Sequence, residues 1–117
     1  MNLKPIYHIC RSYEWDLAKD QKYYNGSSQD QKDGFIHFST GEQIRESAAK
    51  HRGGQDNLVL IEVDPKELGG SLKWELSGSN SKFPHLYSKL PLSAVIRTYS
   101  LRLDSAGNHM FPQDWNL

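Results

Sequence analysis

One segment constrains the fold more than any other: Asn57-Leu58-Val59-Leu60-Ile61-Glu62-Val63-Asp64. It is the most apolar run of the chain and reads as a central strand, which Pro65 stops. On a strand, Leu60 and Glu62 share one face, and Val59, Ile61 and Val63 share the other. A chain of 117 residues is long enough to bury a core around such a strand without disulfides or a metal. The expectation is one domain spanning residues 1–117. No repeat, linker or low-complexity stretch marks a second one.

Composition narrows the function classes. The 14 basic residues balance 14 acidic ones, so no broad basic surface for nucleic acid is expected. Cys10 is the single cysteine, which excludes an intrachain disulfide and a thiolate zinc cluster. Met1-Asn2-Leu3-Lys4-Pro5 lacks the apolar run of a signal peptide, and no stretch approaches the roughly 20 apolar residues of a membrane span. A cytoplasmic protein without membrane contact is the expectation. Nothing in the pattern speaks to oligomeric state.

The other elements follow from periodicity and punctuation. Ile6 to Cys10 reads as the first strand, interrupted by His8. Ser12 is placed to cap a helix running to Lys19, with Trp15, Leu17 and Ala18 as its core contacts. Gln21 to Lys32 is polar and reads as a surface loop, with a short strand at Lys22-Tyr23-Tyr24. Asp33-Gly34 turns the chain into Phe35-Ile36-His37-Phe38-Ser39, a strand on which His37 and Ser39 share parity and therefore a face. Ser39 with Glu42 and Thr40 with Gln43 have capping-box spacing and open a second helix, whose inner face takes Ile44, Ala48 and His51 and which Gly53-Gly54 ends. Leu72 to Leu76 alternates, with Leu72, Trp74 and Leu76 to one side and Lys73 and Glu75 to water. Ser77 to Lys82 is a polar loop. Pro84 stiffens Phe83-Pro84-His85-Leu86-Tyr87 into a turn that presents His85 and Tyr87. Ala94 to Leu103 is the last long strand, with Val95, Tyr99, Leu101 and Leu103 inward. The tail carries Phe111 and Trp115, which need a surface to pack on. Helices early and consecutive strands late indicate an α+β chain.

His8, His37 and His85 each interrupt an apolar or rigid segment. Zinc would need three or four ligands, but each imidazole comes from a separate element and none pairs at helical spacing, so no metal is expected. No Gly-x-Ser-x-Gly elbow supports Ser-His-Asp hydrolysis, and no Rossmann or Walker glycine loop is present. What remains is a cleft of imidazoles, hydroxyls and one or two charged side chains, suited to a nucleotide, sugar or phosphate. The competing reading leaves every histidine satisfied in the core or at a sheet edge.

Tyr7-His8-Ile9, Asp33-Gly34-Phe35-Ile36-His37-Phe38-Ser39, Leu72-Lys73-Trp74-Glu75 and Phe83-Pro84-His85-Leu86-Tyr87 with Leu90-Pro91-Leu92 together resemble the domain of unknown function 952 family. The resemblance runs from about Ile6 to Leu103. Ser88 departs from the pattern, where glycine usually follows the tyrosine. The family carries no established activity.

A more distant resemblance adds chemistry. A histidine on the first strand, a helix, and then a strand reading apolar-His-apolar-Ser is similar to the ADP-ribosyltransferase-like superfamily, nearest to its RNA 2′-phosphotransferase branch. This implies a small split or strongly bent, mostly antiparallel sheet with two helices and a cleft for NAD. It implies that His8 bonds the adenosine-side ribose, that His37 contacts the nicotinamide ribose region, and that Ser39 supports it. Glu75, beside Lys73, would be the carboxylate that stabilises an oxocarbenium-like ribosyl centre. His85 and Tyr87 would close the cleft, and Arg11 would bind a phosphate. The expected catalytic residues are thus Glu75 and His37, with His8, Arg11, Ser39, Lys73, His85 and Tyr87 binding the ligand. The RNA-modifying branch uses more arginines than this chain provides. Two other readings stand beside this one: a binding module without catalysis, and a structural or interaction protein.

Overall fold

The computed structural model describes residues 4–77 and 80–112. Its elements are β1 (Ile6–Arg11), α1 (Ser12–Ala18), β2 (Tyr23–Tyr24), α2 (Ser28–Asp33), β3 (Ile36–His37), β4 (Ser39–Thr40), α3 (Ile44–Arg52), β5 (Leu58–Val63), β6 (Leu72–Leu76), β7 (Lys82–Leu86), β8 (Leu90–Pro91), β9 (Val95–Leu103) and β10 (His109–Met110). As its apolar character demands, β5 lies in the middle of a curled antiparallel sheet ordered β10-β9-β5-β1-β4. A three-stranded sheet, β3-β7-β6, and a pair, β2-β8, complete an α+β fold.

The core has two sides because β5 and β1 bury both faces. Ile61 and Val63 of β5 join Ile6 and Cys10 of β1 on one side, against Ile36 and Leu86 from the small sheet and Phe38 next to it. Leu60 and Tyr7 face the other side, where Ile44 of α3 covers them and Phe111 packs. The tail thus folds back on the sheet through Phe111. Trp115, and Gly78 and Ser79 of the polar loop, lie outside the described residues.

Several sequence expectations need correction. There are three α-helices among the described residues, not two. The extra one, α2, occupies the polar segment read as a loop; it has no apolar stripe and is held by its caps. Arg11, not Ser12, stands at the N-cap of α1, and Glu14 accepts from the Arg11 N–H at 3.1 Å. Leu17 is 74% exposed rather than a core contact of α1. Although Thr40 and Gln43 exchange hydrogen bonds at 3.0 and 3.2 Å, they close a turn, and α3 starts only at Ile44. His51 is exposed. Trp74 and Leu76 are 43% and 63% exposed, because the hairpin of β6 and β7 extends past the core that Leu72 touches.

The most consequential correction concerns residues 35–40. They are not one strand. Ile36 and His37 pair with Leu86 and His85, whereas Ser39 pairs with Tyr7 in the other sheet. Pro84 accounts for the break. Its carbonyl accepts the Phe38 N–H at 3.0 Å, so the edge where its missing N–H would lie faces Phe38 as well. The ladder with β7 cannot continue there, and the chain crosses to β1. Phe83 to Leu86, expected to turn, instead lie in the strand β7, with Tyr87 directly after it.

No helix among the described residues is long and apolar enough to cross a membrane. Core truncation should separate the two kinds of leucine. Leu60→Ala, at a fully buried position, is expected to cost about 2–5 kcal/mol in urea denaturation. Leu17→Ala should change stability by no more than about 0.5 kcal/mol.

Candidate functional site

The site is built outward from Asp30, which is 3% exposed. Ser27 and Asp30 cap α2 reciprocally: the Asp30 N–H donates to Ser27 Oγ at 3.2 Å, and the Ser27 N–H donates to Asp30 Oδ2 at 2.7 Å. Gly26 makes this possible. It sits at φ +95°, and a Cβ there would come within 2.8 Å of the Asp30 Cβ. The other carboxylate oxygen, Oδ1, accepts both the His37 N–H at 3.1 Å and His37 Nδ1 at 2.6 Å. The second ring nitrogen of His37, Nε2, lies 3.1 Å from Asp33 Oδ2, one turn along α2.

His8 lies behind this pair and is 2% exposed. Its Nδ1 meets the His37 carbonyl oxygen at 2.6 Å, which requires Nδ1–H to donate. Its Nε2 meets the Tyr24 hydroxyl at 2.8 Å. Burial lowers the pKa of His8, and this outweighs the opposing pull of Asp30, whose Oδ2 approaches Nε2 at 3.4 Å. The ring is therefore neutral, with Tyr24 O–H donating to Nε2. For Asp30, burial alone would raise the pKa. The hydrogen bonds from His37 and Ser27, together with the charge that His8 takes up in acid, outweigh it and hold the carboxyl at about 2.

In front, cross-strand pairing sets His37 opposite His85, and His85 opposite Lys73. Directly paired residues share a face, as do residues two apart. One face of the small sheet therefore carries His37, His85, Lys73, Glu75 and Tyr87, with Phe35 beside them. Phe35 stacks on His85 at 4.2 Å between centroids and contacts the rings of His37 at 4.4 Å and Tyr87 at 5.2 Å. The His37 and His85 rings are 5.8 Å apart, edge to face. Glu75 Oε1 accepts from His85 Nδ1 at 2.8 Å and from the Tyr87 hydroxyl at 2.7 Å. The bond from Tyr87, then that from His85, holds the Glu75 carboxyl below its ordinary range.

The structure thus gathers His37, His85, Glu75, Tyr87 and Lys73. It does not bring the other expected residues to that face. His8 is sealed in the core with both nitrogens engaged. Ser39, 5% exposed, donates its hydroxyl to Ser47 Oγ at 3.0 Å on the far side of the crossing. Arg11 ends β1, opposite Leu58 and away from β4. The site-forming residues that sequence reasoning missed are Asp30, Asp33, Phe35 and Tyr24. The Ser27-x-x-Asp30 cap spacing was the available signal for Asp30, and shared parity with His37 was the one for Phe35.

On this face Tyr87 is 47% exposed, whereas His85, covered by Phe35, is only 6% exposed. Two hollows lie elsewhere, one of about 430 Å³ beside Arg45, Ala49, His109 and Phe111, and one of about 260 Å³ beside Ser12, Asp56 and Arg102. Neither includes any of the clustered side chains, and the density of paired titratable groups makes the sheet face the better candidate. Among the described residues, no group of three or more His, Cys, Asp or Glu side chains is arranged to hold a metal ion.

A family described as "Protein of unknown function (DUF952)" matches residues 9–98, which carry the His37 and His85 blocks. The chain belongs to the DUF952 family. A crystal structure of protein CC0527 from Caulobacter crescentus is 48% identical with a TM-score of 0.86, covering 92% of this chain and 94% of that one. A solution NMR structure of CC0527 is 49% identical with a TM-score of 0.80, covering 91% of each chain. No curated protein matches the chain. The solved structures matched are of CC0527, and none is described as an ADP-ribosyltransferase.

The buried pair dictates how this DUF952 protein responds to acid. The folded state disfavours charged His8, so the stability it contributes is present above its ordinary value of 6.5 and is lost as the pH falls below that. Asp30 is displaced from 3.8 to about 2, so its contribution, about 2 kcal/mol, persists above pH ~4 and vanishes as the pH falls toward 2. Urea midpoints measured across pH should drop in two stages. Asp30→Asn should remove the lower stage and keep the upper.

Proposed function

We propose that the outward face of β3-β7-β6 binds a nucleotide-like small molecule, with Phe35 and Tyr87 as its aromatic surface and Glu75, His85 and His37 as its polar contacts. The observation that carries this reading is the contrast between His8 and His85. A purely structural imidazole has a partner at each nitrogen, as His8 does. His85 is held at Nδ1 by Glu75, and among the described residues no hydrogen bond engages its Nε2. A carboxylate that orients one ring nitrogen and leaves the other for a ligand is the arrangement of a recognition or acid–base group.

Catalysis at the ribosyl bond of NAD is the second reading, favoured by one feature of Glu75. Hydrogen bonds from Tyr87 and His85 keep this half-exposed carboxylate ionised, the state needed to stabilise a positively charged sugar. The buried position of His8 argues against a direct contact between that ring and the ligand, so this reading rests on Glu75 with His37 and His85. NAD is the probe that tests both readings.

Calorimetric titration with NAD, alongside an assay of nicotinamide release, should show saturable binding that His85→Ala weakens by about tenfold or more. If Glu75 is catalytic, Glu75→Gln should lower release by roughly 10²-fold while binding persists. Binding without release would leave the binding module alone. No heat with NAD in the unsubstituted protein would sink the nucleotide-like reading.

A further inference from the structure

Two carboxylates on α2 grip the same imidazole, and their circumstances differ. Asp30 is almost wholly buried. Its oxygens accept the Ser27 N–H, the His37 N–H and His37 Nδ1, so it cannot move without undoing the α2 cap and the start of β3. Asp33 is 37% exposed at the end of α2 and, among the described residues, meets besides His37 only the side-chain amide of Gln29, at 3.1 Å. An exposed pair of this kind is weakly held, and its rotamers exchange on fast timescales. The Nε2 edge of His37, whose ring is 40% exposed, is the edge that Asp33 covers.

We propose that Asp30 is the positioning residue of His37, and that Asp33 is an exchangeable placeholder on Nε2, standing where an oxyanion of a ligand docks. The buried carboxylate accepts from Nδ1–H and fixes the ring plane, which points Nε2 outward at a constant angle. The exposed carboxylate offers Nε2 an anionic oxygen until a ligand brings its own. Asp33 stays beside the site after it lets go of Nε2, so the ligand oxyanion is held against that charge, and removing the carboxylate should favour the ligand. Phosphate and carboxylate groups share this chemistry. The inference rests on the face being a ligand site, but it does not depend on NAD being the ligand.

The test uses the full chain with isotope-labelled histidine and follows the His37 ring by NMR during titrations with inorganic phosphate and, separately, acetate. The unsubstituted protein should show a downfield, slowly exchanging Nδ1 proton on His37, and Asp33→Ala should retain it. Asp33→Ala should bind inorganic phosphate at least about threefold more tightly, because the competing internal oxygen is gone. Acetate responding in place of phosphate would assign the oxyanion to a carboxylate and support the same docking position. Asp30→Asn should abolish the fixed Nδ1–H form. Should that variant not fold, the Nδ1 proton in the unsubstituted chain and in Asp33→Ala still decides the positioning role. Absence of that proton overturns the role of Asp30. Equal affinity of the unsubstituted protein and Asp33→Ala for both anions, or no response to either, overturns the role of Asp33. If NAD fails to bind while phosphate responds as described, the nucleotide-like reading falls and this one stands.

Discussion

A carboxylate removed from water has to find donors on every side, and Asp30 finds them on two segments of the chain. The Ser27 amide starts α2, and the His37 amide and ring belong to β3. His8 of β1 lies against the same oxygens. This one side chain therefore ties a short polar helix, a two-residue strand and the large sheet together. Neither the short helix nor the two-residue strand is long enough to be stable by itself. It also explains why a helix with no apolar stripe forms at all: its caps and one buried acid replace the hydrophobic contact that usually fixes a helix to a core.

The imidazoles of the chain show how environment divides one residue type into several jobs. Burial makes His8 a neutral spacer between a carbonyl and a tyrosine hydroxyl. His37 is the surface end of the same cluster, while His85 belongs to a separate one that needs only the hairpin of β6 and β7. The half-exposed ring of His37 and the buried ring of His85 meet edge to face beside Phe35, although they are held by unrelated devices.

Legibility in the sequence followed the physics of each element. β1, β5 and β9 could be read because apolar parity is imposed directly by burial on a pleated strand. The alternation of β6 predicted correctly that Lys73 and Glu75 share the outward face. It could not predict that Trp74 and Leu76 overhang the core, since that depends on how far the hairpin extends. The parity argument that linked His37 to Ser39 failed for a specific reason: it presumes a continuous strand, and Pro84 breaks the pairing from across the sheet. The His37 and His85 blocks were sufficient to recognise the family. The family, however, is defined without a function, and the more distant resemblance drew His8 toward a ligand that its burial keeps away. Asp30 stood in a stretch that looked like solvent-exposed loop, where only a cap spacing hinted at an inward-facing acid.

The transfer of the chain between sheets at Phe38 also sets how the face can come apart in time. Glu75, His85 and Tyr87 belong to a hairpin whose outer edge pairs with no other strand among the described residues, and they can loosen when that hairpin frays while the large sheet stays closed. The grip on His37 is anchored to buried groups and opens only with the core. The two halves of one small surface therefore sit on different rungs of local stability. Amide exchange at β6 would be governed by fraying of the edge, and exchange at His37 by unfolding of the whole domain.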